Sequence, residues 1–171
     1  MLHDTRTPQE AIRGMRQLEL RRHARRDPNA DRLSAAGRAQ AEDVGRTATT
    51  TYDVVFVSPS QRAAETAAWF LRGAGQQLPD HEVIPGLGGR DASGGSPAGM
   101  AAGVRALLDH VPDGGRGLAI SHTPLVEHAA LGLTGGKIDP LGECEGILVT
   151  LGDDGSIHIE ELRLDRGSNL G

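Results

Sequence analysis

Leu18-Glu19-Leu20-Arg21-Arg22-His23 is the stretch on which the fold turns. Its apolar and polar residues alternate, as in a strand, and it ends in a cation and an imidazole. The same grammar returns twice. Asp53-Val54-Val55-Phe56-Val57 is an apolar run stopped by Ser58-Pro59, and Gly117-Leu118-Ala119-Ile120 runs into Ser121-His122. Between these runs lie helical patterns over 35–47 and 61–73, the second ended by Gly73. Another falls near 98–110, and a last one begins at Pro124 with Thr123 as its expected cap. Glu82-Val83-Ile84 reads as a short strand, followed by a glycine-rich loop over 86–99. Near the C-terminus, Gly146 to Leu151 and Ile157 to Leu162 flank Asp154-Gly155, the pattern of a β-hairpin. Strands alternating with helices, closed by a hairpin, predict an α/β fold. Its form is a three-layer α/β/α sandwich with a mainly parallel sheet and a C-terminal β-hairpin.

The chain has 171 residues, enough for one domain with a self-sufficient core. Residues 18–171 are expected to form it. Residues 1–17 are expected to be an N-terminal helical extension, opened by Thr7-Pro8-Gln9-Glu10 with Thr7 as cap and Glu10 closing a capping box. Eighteen Lys and Arg against twenty-three Asp and Glu give a net charge of −5, and aromatics are 2%. A global attraction to nucleic acid or to an anionic membrane is therefore not expected, even though Arg21-Arg22-His23-Ala24-Arg25-Arg26 is locally basic. The single cysteine, Cys144, rules out an internal disulfide and a multi-thiolate zinc site and reads as a packed small hydrophobe. No apolar run approaches the ~20 residues of a membrane span, and no signal-peptide pattern opens the chain. The expectation is a soluble, cytoplasmic protein.

In an open parallel sheet the ligand lies beyond the carboxyl ends of the strands. Three polar clusters fall there: Arg22-His23, Ser58 through Arg62, and Ser121-His122. The two guanidiniums beside these imidazoles would repel a metal cation, and no carboxylate cluster of metal-binding type lies near, so neither metal nor cofactor is expected. The four groups suit a phosphoryl group, because guanidinium binds phosphate oxygens in a fork and neutral imidazole attacks phosphorus. The helix starts at 61 and 124 are expected to add N–H donors and positive potential. His3, His81, His110, His128 and His158 show no metal spacing, and Gly86-Leu87-Gly88 and Gly135-Gly136-Lys137 lack the remainder of a dinucleotide or P-loop motif.

The residues also carry a resemblance. Leu20-Arg21-Arg22-His23-Ala24 with Leu33-Ser34-Ala35-Ala36-Gly37-Arg38-Ala39-Gln40-Ala41 resembles the opening signature of the histidine phosphatase superfamily, the phosphoglycerate-mutase-like enzymes. Val57-Ser58-Pro59-Ser60-Gln61-Arg62-Ala63-Ala64-Glu65-Thr66-Ala67 resembles its second block and Ile120-Ser121-His122-Thr123-Pro124-Leu125-Val126 its third. The short length and hairpin ending look most like the small SixA-type phosphohistidine phosphatases. The resemblance implies that His23 is a nucleophile that becomes phosphohistidine. It implies that Arg22 and Arg62 hold the phosphoryl oxygens and that His122 completes the pocket. Ser58 is given a supporting role beside the pocket, and Arg26, or Arg25, is a candidate substrate contact.

Larger members of the superfamily carry a carboxylate general acid after the third strand. Gly88 stands at that place here, with Glu82 and Asp91 as the carboxylates that could substitute. A general acid contributes about 10²–10⁴ in rate, so its loss favours substrates whose leaving group departs easily. Phosphohistidine on a protein partner fits that condition better than an alkyl ester. A small phosphorylated molecule is the alternative substrate, and a silent phosphate-binding domain the alternative role.

Overall fold

The computed structural model describes residues 14–164. Among the described residues six strands form one sheet: β1 (Arg16–Arg22), β2 (Val54–Val57), β3 (His81–Val83), β4 (Arg116–Ser121), β5 (Gly146–Leu151) and β6 (Ile157–Leu162). Their order is β3-β2-β4-β1-β5-β6. The first four run parallel, β5 is antiparallel to β1, and β6 pairs antiparallel with β5 as the expected hairpin. Four α-helices among the described residues cover it: α1 (Ala35–Gly45), α2 (Gln61–Gly73), α3 (Pro97–Leu108) and α4 (Leu125–Thr134). Of the predicted N-terminal extension, residues 1–13 lie outside the described residues, and β1 already begins at Arg16.

Alternation along β1 sorts the core into two layers. Leu18 and Leu20 pack with Met100 and Val104 of α3 and Val126 and Ala129 of α4. On the opposite face, α1 and α2 enclose Val55, Val57, Leu118 and Ile120 together with Phe70 and Leu71. Glu19 and Arg21 point into this second layer, where a purely apolar core would be expected. They are buried as an ion pair at 2.6 Å, Tyr52 donates to Glu19 at 2.8 Å, and the Arg21 guanidinium lies 5.3 Å from the centre of the Phe70 ring. Arg21 is thus spent on the interior, leaving Arg22, the next residue, to serve the opposite side.

Three of the four helices start on a serine whose side chain accepts a bond from the first turn: Ser34 from Gly37, Ser60 from Ala63, and Ser96 from Gly99. The fourth departs from the expected Thr-Pro start. Pro124 is the N-cap of α4 rather than its first helical residue, and the Thr123 hydroxyl is spent on the Glu127 carboxylate. Glycines permit the closest approaches. A Cβ on Gly37 would lie 1.9 Å from the Arg25 carbonyl oxygen, so α1 rests directly on the segment that follows His23.

Candidate active site

The parallel register sets the site. Arg22 pairs with Ser121, and β2 is in step with β4 through Val57 and Ile120. The residues just past each strand end, His23, Ser58 and His122, therefore arrive at one level of the sheet. The hairpin side holds the Arg22-His23 segment from behind. Cys144 N–H donates to both the Arg22 and His23 carbonyls, and the Arg22 N–H donates to Glu145 O at 2.8 Å. Arg21 Nη1 in turn donates to Cys144 O at 2.6 Å. Cys144 itself is buried, adopts a left-handed φ of 64°, and has its thiol pushed up to about 12 by burial.

His23 is 7% exposed. Its Nδ1 lies 2.7 Å from Ala24 O, an acceptor, so the proton sits on Nδ1 and Nε2 presents a lone pair. That lone pair meets Arg62 Nε at 3.4 Å. Burial holds His23 below its ordinary pKa; the Ala24 carbonyl opposes this, and the charges of Arg62, Arg22 and Arg26 reinforce it. His122 stacks edge-on against it, ring centres 5.1 Å apart. Arg62 Nη2 lies 3.3 Å from His122 Nδ1 and can only donate, which makes Nδ1 the acceptor and puts the His122 proton on Nε2. Nε2 then donates to Ser58 Oγ at 2.6 Å. Burial, with His23 and Arg62 adding, drives His122 down to about 4. Both imidazoles are neutral at pH 7. Arg22 donates through Nη1 to Leu141 O at 2.9 Å, while its buried Nε has no partner among the described residues.

The cleft above these groups, about 320 Å³, is lined by Asp31, Ser60, Arg62, Gly88, Arg90, His122 and the Thr123–Leu125 turn, with Pro59 forming its wall. The structure thus brings His23, Arg22, Arg62, His122 and Ser58 together. Arg26 is placed differently: exposed, with its guanidinium on the carbonyls of Asp27 and Ala30 in its own loop. Arg25 reaches toward Glu143 at 3.7 Å. Glu82 and Asp91 line a separate, mainly apolar cavity of about 250 Å³ beside α3, on the other side of the 3₁₀ turn Pro85–Gly88. Neither carboxylate faces the cleft. Gly88 packs against the wall, where a Cβ would lie 3.2 Å from Pro59 Cδ.

Asp31 is the residue that sequence reasoning missed. Its Oδ1 accepts from Arg62 Nη1 at 2.8 Å and Arg62 N–H at 3.2 Å, and Oδ2 accepts from Gln61 N–H at 3.0 Å. The expected free donors at the start of α2 are therefore consumed by a carboxylate from the loop before α1. Burial alone would raise the Asp31 carboxyl, but the bonds from Gln61 and Arg62 and the Arg62 charge hold it below its ordinary range. Nothing in Asn29-Ala30-Asp31-Arg32 marks this role locally; the residue becomes visible only when its loop meets α2. Among the described residues, no group of three or more His, Cys, Asp and Glu is arranged to hold a metal ion, and no helix is long and apolar enough to cross a membrane.

Two imidazoles and two guanidiniums at the carboxyl edge of a doubly covered parallel sheet have the chemistry to hold a phosphoryl group. Residues 17–92 match the model of the histidine phosphatase superfamily (branch 1), and the described chain has the phosphoglycerate-mutase-like fold. A phosphoglycerate mutase from Bacillus anthracis superimposes with a TM-score of 0.72 at 14% identity, covering 89% of this chain and 94% of that one. The protein histidine phosphatase SixA, solved with tungstate, gives 0.68 at 25% identity over 86% and 96% of the two chains. A mycobacterial glucosyl-3-phosphoglycerate phosphatase gives 0.65 at 16% over 88% and 100%. No curated protein sequence matches the chain.

Proposed function

We propose that this chain is a phosphatase that hydrolyses phosphohistidine on a protein through a phospho-His23 intermediate. His23 Nε2 would attack phosphorus in line. Arg62 and Arg22 would bind the phosphoryl oxygens, the free Nε of Arg22 supplying a ready donor. The Nδ1–H bond to Ala24 would hold the ring as it acquires charge. Neutral His122, steered by Ser58, would face the transferring group, and water would then cleave phospho-His23.

The observation that carries the substrate choice is the nature of the carboxylate in the cleft. Among the described residues lining it, Asp31 is the one carboxyl group, and its three donors keep it ionised. An ionised carboxylate cannot protonate a departing alkoxide. A leaving group that needs no such proton, as in a phosphoramidate, fits this site. The size of the cleft, about 320 Å³, also favours a second reading, a phosphatase of a small phosphorylated molecule, since pockets of ~300 Å³ and above serve small ligands.

Steady-state turnover of a phosphohistidine peptide and of p-nitrophenyl phosphate separates the two readings. The expected result is a higher kcat/KM for the peptide, with turnover of both lost in His23→Ala. Preference for the ester would select the small-molecule reading. Phosphate binding without any turnover would leave a binding domain.

A further inference from the structure

In-line displacement places the leaving group on the side of phosphorus opposite the nucleophile. His23 is buried and touches Arg62 and His122, which both line the cleft, so a group departing away from His23 is placed in the cleft, beside Asp31. A carboxylate offers about four acceptor positions. Three are filled, two on Oδ1 and one on Oδ2, and the side chain is still 46% exposed. Among the described residues one Oδ2 position therefore has no donor, and the side chain lines the cleft. Asp31 also acts electrostatically on the site, since its charge raises His122 against the groups that lower it.

Building on the phosphatase reading above, we propose that Asp31 accepts a hydrogen bond from the ring N–H of a protonated phosphohistidine and thereby selects a phosphoimidazolium leaving group over phosphate esters. The step balances without proton transfer. The His23 Nε2 lone pair forms the new N–P bond while the substrate's own N–P bond breaks, its electron pair staying on the substrate nitrogen. That ring, which entered carrying a proton on its other nitrogen, leaves as neutral imidazole. The positive charge passes to phospho-His23, whose Nδ1–H already donates to Ala24 O. An alkyl ester gains nothing from Asp31, because its leaving oxygen has no proton to offer a carboxylate.

The charged and titratable groups that share the cleft with Asp31 are Arg62 on α2, Arg90 in the glycine-rich loop and His122 after β4, and its own loop carries the Asp27–Arg32 ion pair. Asp31→Asn tests the proposal, because Asn retains an oxygen able to cap α2 but removes the charge. The expected result is a fall of about tenfold in the ratio of kcat/KM for phosphohistidine peptide over p-nitrophenyl phosphate, the scale of one charge-assisted hydrogen bond. With the peptide, the alkaline limb of kcat should also move down by about one pH unit relative to the ester, because the ring loses the group that keeps it protonated. Equal losses on both substrates with no relative shift of the limb would overturn the proposal and reduce Asp31 to a seat for Arg62. Asp31→Ser, a shorter uncharged cap, repeats the comparison if the Asn variant does not fold. Wild-type enzyme that turns over only the ester would instead remove the phosphohistidine reading itself.

Discussion

Hydrogen bonding fixes the state of each histidine before any substrate arrives. Ala24 O sets the His23 tautomer, and Arg62 and Ser58 together set that of His122. Ser58 is 1% exposed and bonds Ser60 on its other side, so its hydroxyl has no route to water. Ser58→Ala should leave the His122 Nε2–H without an acceptor in a dry position, a loss worth about 1–3 kcal/mol. We expect kcat to fall about tenfold or more with KM changed less, measured by steady-state kinetics, and histidine NMR should report a mixed His122 tautomer. The pH dependence follows from the same ring. Its native pKa is about 4 against 6.5 for an unperturbed histidine, so between those values the unfolded chain binds a proton that the native state refuses. Stability contributed by this group therefore falls as pH drops from about 6.5 and is fully lost below about 4. A histidine NMR titration should find His122 neutral at pH 5, and protonation near 6.5 would contradict the assignment.

At the level of helices and strands, the α1–α2 pair depends on small residues at two contacts. A Cβ on Gly45 would lie 1.9 Å from Phe70 O, and one on Gly73 the same distance from Glu42 O. Backbone meets backbone there, so the two helices must separate to admit a methyl group. Gly45→Ala should destabilise by about 1–3 kcal/mol, read as a lower denaturation midpoint with an unchanged m-value, and should lower activity by displacing Arg62 at the start of α2. These elements were legible from the sequence because their signals are local: alternation over Leu18 to Arg21, an apolar run over Val54 to Val57, Gly73 at a helix end. The start of α4 was less so. Thr123 and Pro124 read as cap and first turn, but the Glu127 carboxylate competes for the hydroxyl and the helix begins at Leu125. The roles of Asp31 and of the Leu141–Glu145 segment were not legible at all. Each contributes through partners far along the chain, as in the bond from Arg22 to Leu141 O, and no spacing rule encodes such a meeting.

Across the whole molecule, the parallel register converts three separated sequence blocks into one site. The strand order puts β4 between β2 and β1, so His122 is placed between Ser58 and His23 by the sheet rather than by any loop. The hairpin side then clamps the Arg22-His23 segment through Cys144 and Glu145. This arrangement explains why the polar clusters could be assigned to one end of the sheet from their positions after strands, while the distinction between the two carboxylate-bearing cavities could not. Glu82 and Asp91 are close in sequence to Gly88, yet the 3₁₀ turn puts them on the far side of it. The proposed reaction passes through His23 Nε2. The direct measurement is rapid-quench trapping with ³²P-labelled phosphohistidine peptide under alkaline conditions, followed by mapping of the labelled residue. Label is expected on His23, forming and decaying at rates consistent with turnover, and absent from His23→Ala. Turnover with no trapped label, or label on another residue, would contradict it.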